Sequence, residues 1–225
     1  MKAVVLLSGG LDSTTAAAWA KREGYELHAL SIDYGQRHRL ELEAGAQVAH
    51  ALGCKERRVV TIDLRAIGGS ALTDKIAVPK DRSHEAIGQG VPVTYVPARN
   101  TIFLACALGF AEVVGAGAIV IGANVLDSSG YPDCRPEFLQ KFEELAALAT
   151  AAATERKERV RIVAPLIKLS KKEIVELARE VKAPLELTWS CYDPRPGPKV
   201  CGRCDACLLR AKGFAEAGGR DPAPW

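Results

Sequence analysis

The stretch Ser8-Gly9-Gly10-Leu11-Asp12-Ser13 decides how this chain folds. The apolar residues 3–7 before it predict a buried strand, and the alanine-rich residues 16–20 after it predict a helix. A strand, a glycine turn and a helix start together make an anion site, because glycine lets the backbone approach a phosphate closely and the first helical N–H groups point at it. The sequence therefore predicts a phosphate-binding loop at this position.

The spacing of the glycines excludes the two commonest phosphate loops. No Gly-Lys-Ser or Gly-Lys-Thr follows them, as a Walker A loop requires, and the stretch does not match G-x-G-x-x-G. Residues 8–13 instead resemble the pyrophosphate loop of the ATP pyrophosphatase family, whose members split ATP into AMP and pyrophosphate. Asp12 fits a magnesium role there, because a carboxylate beside polyphosphate needs a cation between them. The simpler alternative is a serine–glycine turn that caps a helix.

The composition indicates one globular domain, with room for a small appendage. The chain has 225 residues, of which 48% are apolar, and a net charge of +3. So mild a charge gives no reason to expect direct binding to nucleic acid. Apolar runs are shorter than a membrane span and a strand pattern begins at the N-terminus, so we expect no membrane partner, no signal peptide and a cytoplasmic location.

Short apolar runs alternate with helical patterns along the chain. The patterns predict strands over residues 2–7, 26–33, 57–63, 118–123 and 161–163, and helices over residues 14–22, 39–52, 101–114, 136–154 and 170–181. Ser170-Lys171-Lys172-Glu173 is the pattern of a capping box that opens the last of these helices. Repeated β-α units imply an α/β fold, with a Rossmann-like parallel sheet covered by helices on both faces. Ligands of such sheets bind beyond the carboxyl ends of the strands, which places residues 8–13, 33–38 and 124–134 on one rim. Residues 64–97, interrupted by glycine and proline, are predicted to form a long loop or lid.

Four cysteines have the spacing of a metal site. Cys201, Cys204 and Cys207 are separated by two residues each, and Cys191 lies upstream across a proline-rich loop. Four thiolates complete a tetrahedral shell, which is the structural zinc pattern. An iron–sulfur cluster, a redox pair and a zinc ribbon that grips nucleic acid are the alternatives. Of the other thiols, Cys54 and Cys106 are expected to be ordinary buried residues, and the role of Cys134 is open.

Two polar stretches of the middle region are further candidates for the site. Tyr95-Val96-Pro97-Ala98-Arg99-Asn100 precedes a helix, which suits anion contact, unless Asn100 or Thr101 is only a cap and Arg99 only a surface charge. In residues 127–137, carboxylates can accept the paired N–H groups of a guanine-like edge, and Tyr131 offers a ring face. The alternative is a proline turn before a helix, capped by Asp133.

Four blocks together resemble the family of 7-cyano-7-deazaguanine synthases of queuosine biosynthesis, within the ATP pyrophosphatase superfamily. They are residues 8–13, residues 96–100, residues 130–138 and the four-cysteine set. The resemblance implies a Rossmann-like domain over 1–185, a zinc-binding segment over 186–225 packed on it, and a homodimer. Ala98 stands where glycine is common in this family, and Ser128 where a bulkier residue is common, which puts only local geometry in question.

The resemblance also implies an activity, an ATP-dependent carbon–nitrogen ligase. It would convert 7-carboxy-7-deazaguanine and ammonia to the nitrile through an adenylated acid and an adenylated amide, releasing AMP and pyrophosphate. One structural Zn²⁺ per chain, held by Cys191, Cys201, Cys204 and Cys207, and Mg²⁺ with ATP would be its cofactors. The nucleotide-binding residues would be Ser8, Gly9, Gly10, Leu11, Asp12, Ser13, Thr14, Thr15, Ala16, Ala17 and Ala18. Asp12, Ser13 and Arg99 are the catalytic candidates, and the candidates for binding the deazaguanine are Asp127, Tyr131, Asp133 and Arg135.

Rival functions come from the same superfamily and from another class. A tRNA-thiolating ATP pyrophosphatase usually needs a catalytic cysteine outside the structural set and a surface for RNA. Amide synthetases for GMP or NAD share the loop but lack this cysteine cluster. A zinc-ribbon module that binds nucleic acid and merely retains an ATP fold is the third alternative. Lys168 could reach a phosphate, but a surface lysine is the simpler interpretation.

Overall fold

A computed structural model describes residues 1–87, 89–126, 130–156, 158–197 and 199–223. Its centre is a five-stranded sheet in which every described pairing is parallel. The strands are β1 (Lys2–Leu6), β2 (Glu26–Asp33), β3 (Glu56–Thr61), β4 (Ala118–Val120) and β5 (Arg161–Val163). Their order across the sheet is β3-β2-β1-β4-β5. The predicted parallel sheet is therefore confirmed.

Helices connect these strands and cover both faces of the sheet. They are α1 (Leu11–Arg22), α2 (Leu40–Ala51), α3 (His84–Ile87), α4 (Arg99–Val114), α5 (Pro136–Ala149), α6 (Ala151–Arg156), α7 (Lys171–Glu180) and α8 (Asp205–Glu216). Single 3₁₀ turns occur at Leu64–Ala66, Pro132–Cys134 and Leu185–Leu187. In the described part of the chain, no helix is long and apolar enough to cross a membrane.

The side chains of β1 alternate between two hydrophobic cores. Val4 and Leu6 point to the face covered by α4 and α5, while Ala3 and Val5 point to the face covered by α1, α2, α7 and α8. This alternation follows from the two-residue repeat of a strand. A sheet buried on both faces explains why β1 is apolar throughout, and it confirms the Rossmann-like α/β class.

The strand order reverses at β1, which makes the site's position predictable. From β1 the chain builds outward through β2 and β3 on one side, and through β4 and β5 on the other. The loops that follow β1 and β4 therefore leave the sheet in different directions and open a crevice between them. Residues 7–8, 10–13 and 121–124 line the two sides of this crevice.

Helix boundaries differ from the predicted ones at three places. Helix α1 begins at Leu11, directly after an extended Gly10, and not at residue 14. Helix α4 begins at Arg99, so Asn100 and Thr101 lie inside it and neither is its N-cap; that prediction was wrong. The helix predicted over 136–154 is broken at Thr150, whose backbone is extended and whose hydroxyl accepts a hydrogen bond from the Ala153 N–H at 3.3 Å. Thr150 thus caps α6.

The capping box at the start of α7 is confirmed. The Ser170 hydroxyl accepts a hydrogen bond from the Glu173 N–H, and the Glu173 carboxylate accepts one from the Ser170 N–H. These reciprocal bonds satisfy two backbone donors at the helix start. They fix the first turn of α7, which carries Lys171 toward the crevice.

Residues 64–97 form a long connection that packs into the core. Ala71, Leu72 and Val78 are buried with the residues of α4. Three consecutive residues then make ion pairs with the C-terminal segment: Lys80 with Asp193 at 2.8 Å, Asp81 with Arg203 at 2.9 Å, and Arg82 with Asp205 at 2.9 Å. The predicted loop is therefore tied along its middle to the region of the cysteines.

Candidate active site

Gly9 gives the loop after β1 its shape. Its φ is +90°, and a Cβ built on it would lie 2.4 Å from the Gly45 nitrogen and 2.5 Å from the Glu41 carbonyl oxygen. Both atoms belong to the backbone of α2, which cannot move aside without displacing the helix. Glycine is therefore required here for its conformation and for the close approach of α2.

The N-terminus of α1 presents backbone donors to the crevice. Gly10 is its N-cap, and no side chain caps the helix. The Ser8 and Ser13 hydroxyl oxygens lie 3.0 Å apart, and the Ser13 hydroxyl donates to the Gly10 carbonyl at 3.2 Å. Uncapped N–H groups, the helix dipole and two hydroxyls together could bind an anion with several oxygens.

Gly122, which follows β4, supports this loop from the other side. A Cβ on Gly122 would lie 2.8 Å from the carbonyl carbon of Asp12 and 2.8 Å from the nitrogen of Ser13. The chain after β4 therefore runs against the first turn of α1, where a side chain would not fit. The sequence analysis did not select Gly122, because the contact joins residues far apart in the chain.

A cavity of about 270 Å³ opens beside the loop. It lies at the reversal of strand order, where the fold predicts a ligand. Residues that bring charge or hydrogen-bonding groups to it include Ser8, Asp12, Ser13, Tyr34, Glu41, Arg99, Tyr131, Lys171 and Tyr192.

The predicted nucleotide-binding residues divide between the cavity and the core. Ser8, Gly10, Leu11, Asp12 and Ser13 line the cavity. The others lie outside its lining: Gly9 packs on α2, and Thr14, Thr15, Ala16, Ala17 and Ala18 are buried within α1. The buried alanines let α1 pack closely on the sheet, which fixes the direction of its N-terminus.

Asp12 is paired with a lysine that sequence reasoning did not select. Both oxygens of its carboxylate lie 2.9 Å from the Lys171 ammonium, on the first turn of α7. Only 11% of the Lys171 side chain is exposed. Lys168, the lysine considered from the sequence, is exposed and outside the cavity lining, so the interpretation as a surface lysine is confirmed. The sequence analysis did not select Lys171, because Ser170 and Glu173 on either side of it form the pattern of a capping box.

Arg99 brings a positive charge into the aromatic part of the cavity. Its guanidinium carbon lies 6.0 Å from the centre of the Tyr34 ring and 5.8 Å from that of Phe103, within reach of cation–π attraction. Burial raises the pKa of Tyr34 above its usual value, with a smaller contribution from Glu41. Arg99 is thus a cation inside the site and not a surface charge.

Glu41, from the first turn of α2, is the acidic residue that sequence reasoning missed. Burial raises the pKa of its carboxyl group to about 7, although the nearby Arg99 acts in the opposite direction. A group with such a pKa can both accept and release protons near neutrality. From sequence, Glu41 was one of several acidic residues on a helix, and nothing local distinguished it from Glu43.

The predicted deazaguanine-binding residues are not all brought to the cavity. Tyr131 lines it, 5.5 Å from Tyr95 between ring centres, and its hydroxyl lies 3.2 Å from that of Thr94. Arg135 is exposed and donates to the Pro132 carbonyl. Asp127 lies outside the described residues, as does Ser128. Among the described residues of this group, only Tyr131 lines the cavity.

The Asp133 carboxylate hydrogen-bonds to the start of α4, which precedes it in the chain, and not to the start of α5, which follows it. One carboxylate oxygen accepts a hydrogen bond from the Asn100 N–H at 2.9 Å, and the Asn100 amide donates to the Asp133 carbonyl at 3.1 Å. Helix α5 has no side-chain cap, so the alternative in which Asp133 caps it was wrong. Ala98, at the N-cap of α4, has a φ of +53°, which explains why glycine would suit this position.

The three thiols outside the cysteine cluster are poor nucleophiles. Cys54 and Cys106 are half-buried and not fully buried as predicted, whereas Cys134 is buried. Desolvation raises the pKa of Cys54 and of Cys134 to about 11, and it also raises that of Cys106. Cys134 lines the cavity, where it accepts a hydrogen bond from the Asn100 amide at 3.2 Å. Because the thiolate is the reactive form, these thiols are unsuited to carrying a persulfide at neutral pH.

The four predicted cysteines converge on one point. Their sulfurs lie within 4.8 Å of one another, with 3.5 Å between Cys204 and Cys207 and 4.0 Å between Cys201 and Cys207. Sulfurs bound tetrahedrally to zinc would be about 3.8 Å apart. Backbone N–H groups of Cys201 and Cys204 donate to sulfurs at 3.3 Å, which favours thiolates. The cluster could hold a metal ion.

The chain around the cysteines forms one wall of the cavity. The backbone N–H of Trp189 donates a hydrogen bond to the Gly9 carbonyl at 2.9 Å, which joins this segment to the phosphate loop. Trp189, Tyr192 and Arg210 line the cavity, and Arg210 is held by an ion pair with Asp221 at 2.6 Å. The cluster therefore lies behind a wall of the site and not inside it.

A glycine loop at the switch point of a parallel sheet, joined to a four-cysteine cluster, defines a Rossmann-like α/β protein with a crevice that could bind an anionic ligand. Residues 2–218 match the family described as "Queuosine biosynthesis protein QueC", and the chain belongs to this family. It is 57% identical over 225 residues to the 7-cyano-7-deazaguanine synthase of Anaeromyxobacter dehalogenans, covering 100% of this chain and 95% of that relative. It is also 57% identical over 222 residues to the synthase of Syntrophus aciditrophicus, covering 99% and 96%.

Proposed function

We propose that the protein makes 7-cyano-7-deazaguanine from 7-carboxy-7-deazaguanine, ammonia and ATP. The observation that carries the proposal is the uncapped start of α1 facing a cavity, in a chain 57% identical over its whole length to a synthase of that name. The size of the cavity, about 270 Å³, suits a purine-sized ligand next to a phosphate site.

The chemistry explains why the acid has to be activated by ATP. A carboxylate resists ammonia because its oxide is a poor leaving group. Attack of a carboxylate oxygen on the α-phosphorus releases pyrophosphate and leaves AMP bound to the acyl carbon. Ammonia then forms the C–N bond, AMP leaves with the C–O electrons, and one proton is lost, which gives the amide. A second ATP activates the amide oxygen in the same way, and loss of AMP and the remaining N–H protons gives the nitrile.

The phosphate loop supplies most of what the adenylation steps require. N–H groups at the start of α1 and the Ser8 and Ser13 hydroxyls would bind the leaving pyrophosphate. The Asp12 carboxylate, with phosphate oxygens, suits Mg²⁺, which keeps much of its water and takes few protein ligands. Lys171 would release Asp12 to the cation and turn to a phosphate. Arg99 would stabilise negative charge that develops at the acyl phosphate.

The remaining assignments concern the purine and the metal. Tyr131 would stack on the deazaguanine; Asp127, Asp133 and Arg135 stay candidates for the same ligand. Zn²⁺, one per chain, would be held by the four cysteines and would fix the wall that contains Trp189 and Tyr192. We also propose a cytoplasmic homodimer, for which Val113 of α4 and Leu145 and Leu148 of α5 offer exposed apolar side chains.

Product analysis tests the proposal. The protein is incubated with ATP, Mg²⁺, ammonium and 7-carboxy-7-deazaguanine, and the mixture is analysed for the nitrile. Omission of the acid should abolish AMP formation. Asp12→Asn and Ser13→Ala should retain ATP binding and lower pyrophosphate release about 100-fold, since each removes a transition-state contact. Glu43→Gln, which changes an exposed residue of α2, is the control. Unchanged release in both loop variants would contradict the role of the loop.

The tRNA-thiolating alternative is not favoured. It needs a reactive thiol outside the metal set, and the pKa values of Cys54, Cys106 and Cys134 are all raised. Gel-shift titrations with tRNA at two salt concentrations test this alternative and the zinc-ribbon alternative together, because phosphate-driven binding weakens steeply with salt.

A further inference from the structure

The proposed reaction requires a proton acceptor that the phosphate loop does not contain. Nitrogen loses a proton when ammonia becomes the amide, and two more when the amide becomes the nitrile. Asp12 is paired with Lys171 in this structure and would bind Mg²⁺ during the proposed reaction, and the hydroxyls of the loop are too weakly basic. The acceptor therefore has to come from another element that lines the cavity.

Glu41 lies where such an acceptor is needed. Its backbone carbonyl packs against Gly9, so the first turn of α2 is held directly beside the phosphate loop. Its side chain lines the same cavity as Ser8, Ser13 and Arg99. A group attached to an acyl carbon near the α-phosphate would therefore lie within the space that Glu41 borders.

The surroundings of Glu41 keep its carboxyl group poised for proton transfer. The groups that face it are Arg99 from α4, Tyr34 after β2 and Tyr192 from the C-terminal segment. Burial outweighs the attraction of Arg99 and raises the pKa of Glu41 to about 7. Burial keeps Tyr34 protonated, and it raises the pKa of Cys134 to about 11, so neither group competes as a base.

We infer that Glu41 is the general base of this protein, accepting one proton from nitrogen when the amide forms and the last proton from nitrogen when the amide becomes the nitrile. In the first step the N–H electron pair returns to nitrogen as the proton moves to the carboxylate, and the C–O bond to AMP then breaks. In the second step the adenylated amide first loses one N–H proton to solvent. It then gives the last N–H proton to the same carboxylate, the electron pair of that bond forms the third bond of C≡N, and AMP leaves with the C–O electrons. Between the steps Glu41 returns its proton to solvent. The inference rests on the proposed function.

A substitution at Glu41 separates the two halves of the reaction. Glu41→Gln keeps the shape of the side chain and removes the base, so acid-dependent exchange of labelled pyrophosphate into ATP should stay within about threefold of the parent. Amide formation should fall about 100-fold, the usual contribution of a positioned base. At a constant concentration of free NH3, the rate of amide formation in the parent should rise with pH around about 7, and this limb should be absent in Glu41→Gln. Glu41→Asp should restore part of the rate, and Glu43→Gln should match the parent.

The outcomes distinguish this inference from the proposed function itself. Absence of acid-dependent exchange in the parent protein would contradict the proposed function. Normal exchange in the parent, with amide formation and its pH profile unchanged in Glu41→Gln, would overturn the inference alone. Equal losses of exchange and of amide formation in that variant would also overturn it, because they indicate that Glu41 only positions the site.

Discussion

The phosphate loop, residues 8–13, and the side chains that form the rest of the cavity wall are built in different ways. The loop is contiguous in sequence, and the groups that it offers to an anion are mainly backbone N–H groups at the start of α1. The wall collects Glu41, Arg99, Tyr131 and Tyr192 from four separate parts of the chain. A loop whose chemistry lies in the backbone leaves a local sequence signature. A wall made of side chains depends on how distant segments pack, and it is here that the substrate would be selected.

The largest expected effect comes from the cysteine cluster, because its segment supplies Trp189 and Tyr192 to the wall and is hydrogen-bonded to Gly9 of the loop. Cys204→Ser should abolish stoichiometric zinc binding and lower stability by several kcal/mol, since closed zinc sites bind with about 10–16 kcal/mol in small peptides. Metal analysis measures the zinc content of each variant, and thermal unfolding measures its stability. Cys106→Ser, outside the cluster, is the control. Equal melting of the two variants would show that the cluster does not support the wall.

The next effect concerns the loop. Gly9→Ala places a Cβ 2.4 Å from the backbone of α2 at a φ of +90°, so we expect a cost of about 3–5 kcal/mol from strain and overpacking, together with loss of ATP cleavage. Gly24→Ala is the matched control, because its φ is +82° with nothing within 4 Å of the added Cβ. It should cost about 1–2 kcal/mol and leave activity unchanged. Urea unfolding measures the loss of stability in both variants, and similar losses would contradict the argument from the packing of Gly9 against α2.

A third effect links Glu41 to stability. Its pKa is raised in the folded protein from 4.5 to about 7, so the folded state binds the proton more tightly than the unfolded state. The stabilisation is complete below about pH 4.5 and is lost as the pH rises through about 7, which amounts to about 3 kcal/mol. Glu41→Gln removes this dependence. Its stability relative to the parent should therefore be greater at about pH 8 than at about pH 5, and a constant difference would contradict the raised pKa.

The smallest effect is expected at the entry to α4. Ala98 has a φ of +53°, a conformation that costs a residue with a Cβ about 1–2 kcal/mol, whereas glycine loses more entropy on folding. Ala98→Gly should therefore raise stability by up to about 1 kcal/mol, measured by urea unfolding, without a change in activity. Destabilisation would show that the helix start is held by contacts of the Ala98 side chain.

The difference between the loop and the wall also explains how much of the fold and of the candidate site could be predicted from the sequence. The sheet, the phosphate loop, the capping box and the cysteine cluster each depend on residues close in sequence, and all of them were predicted from local patterns. Lys171, Gly122 and Glu41 were not selected, since each acts on a partner far away in the chain. Asp133 was selected as a ligand contact or a local cap, but its carboxylate binds the start of α4.

Counting nucleotides per product tests the central claim most directly. With ammonium and 7-carboxy-7-deazaguanine, AMP, ADP and nitrile are quantified in one reaction under saturating ATP. Use of the same loop for the acid and for its amide predicts two AMP for each nitrile, with the amide appearing first. Formation of ADP in place of AMP, or one AMP for each nitrile, would contradict it.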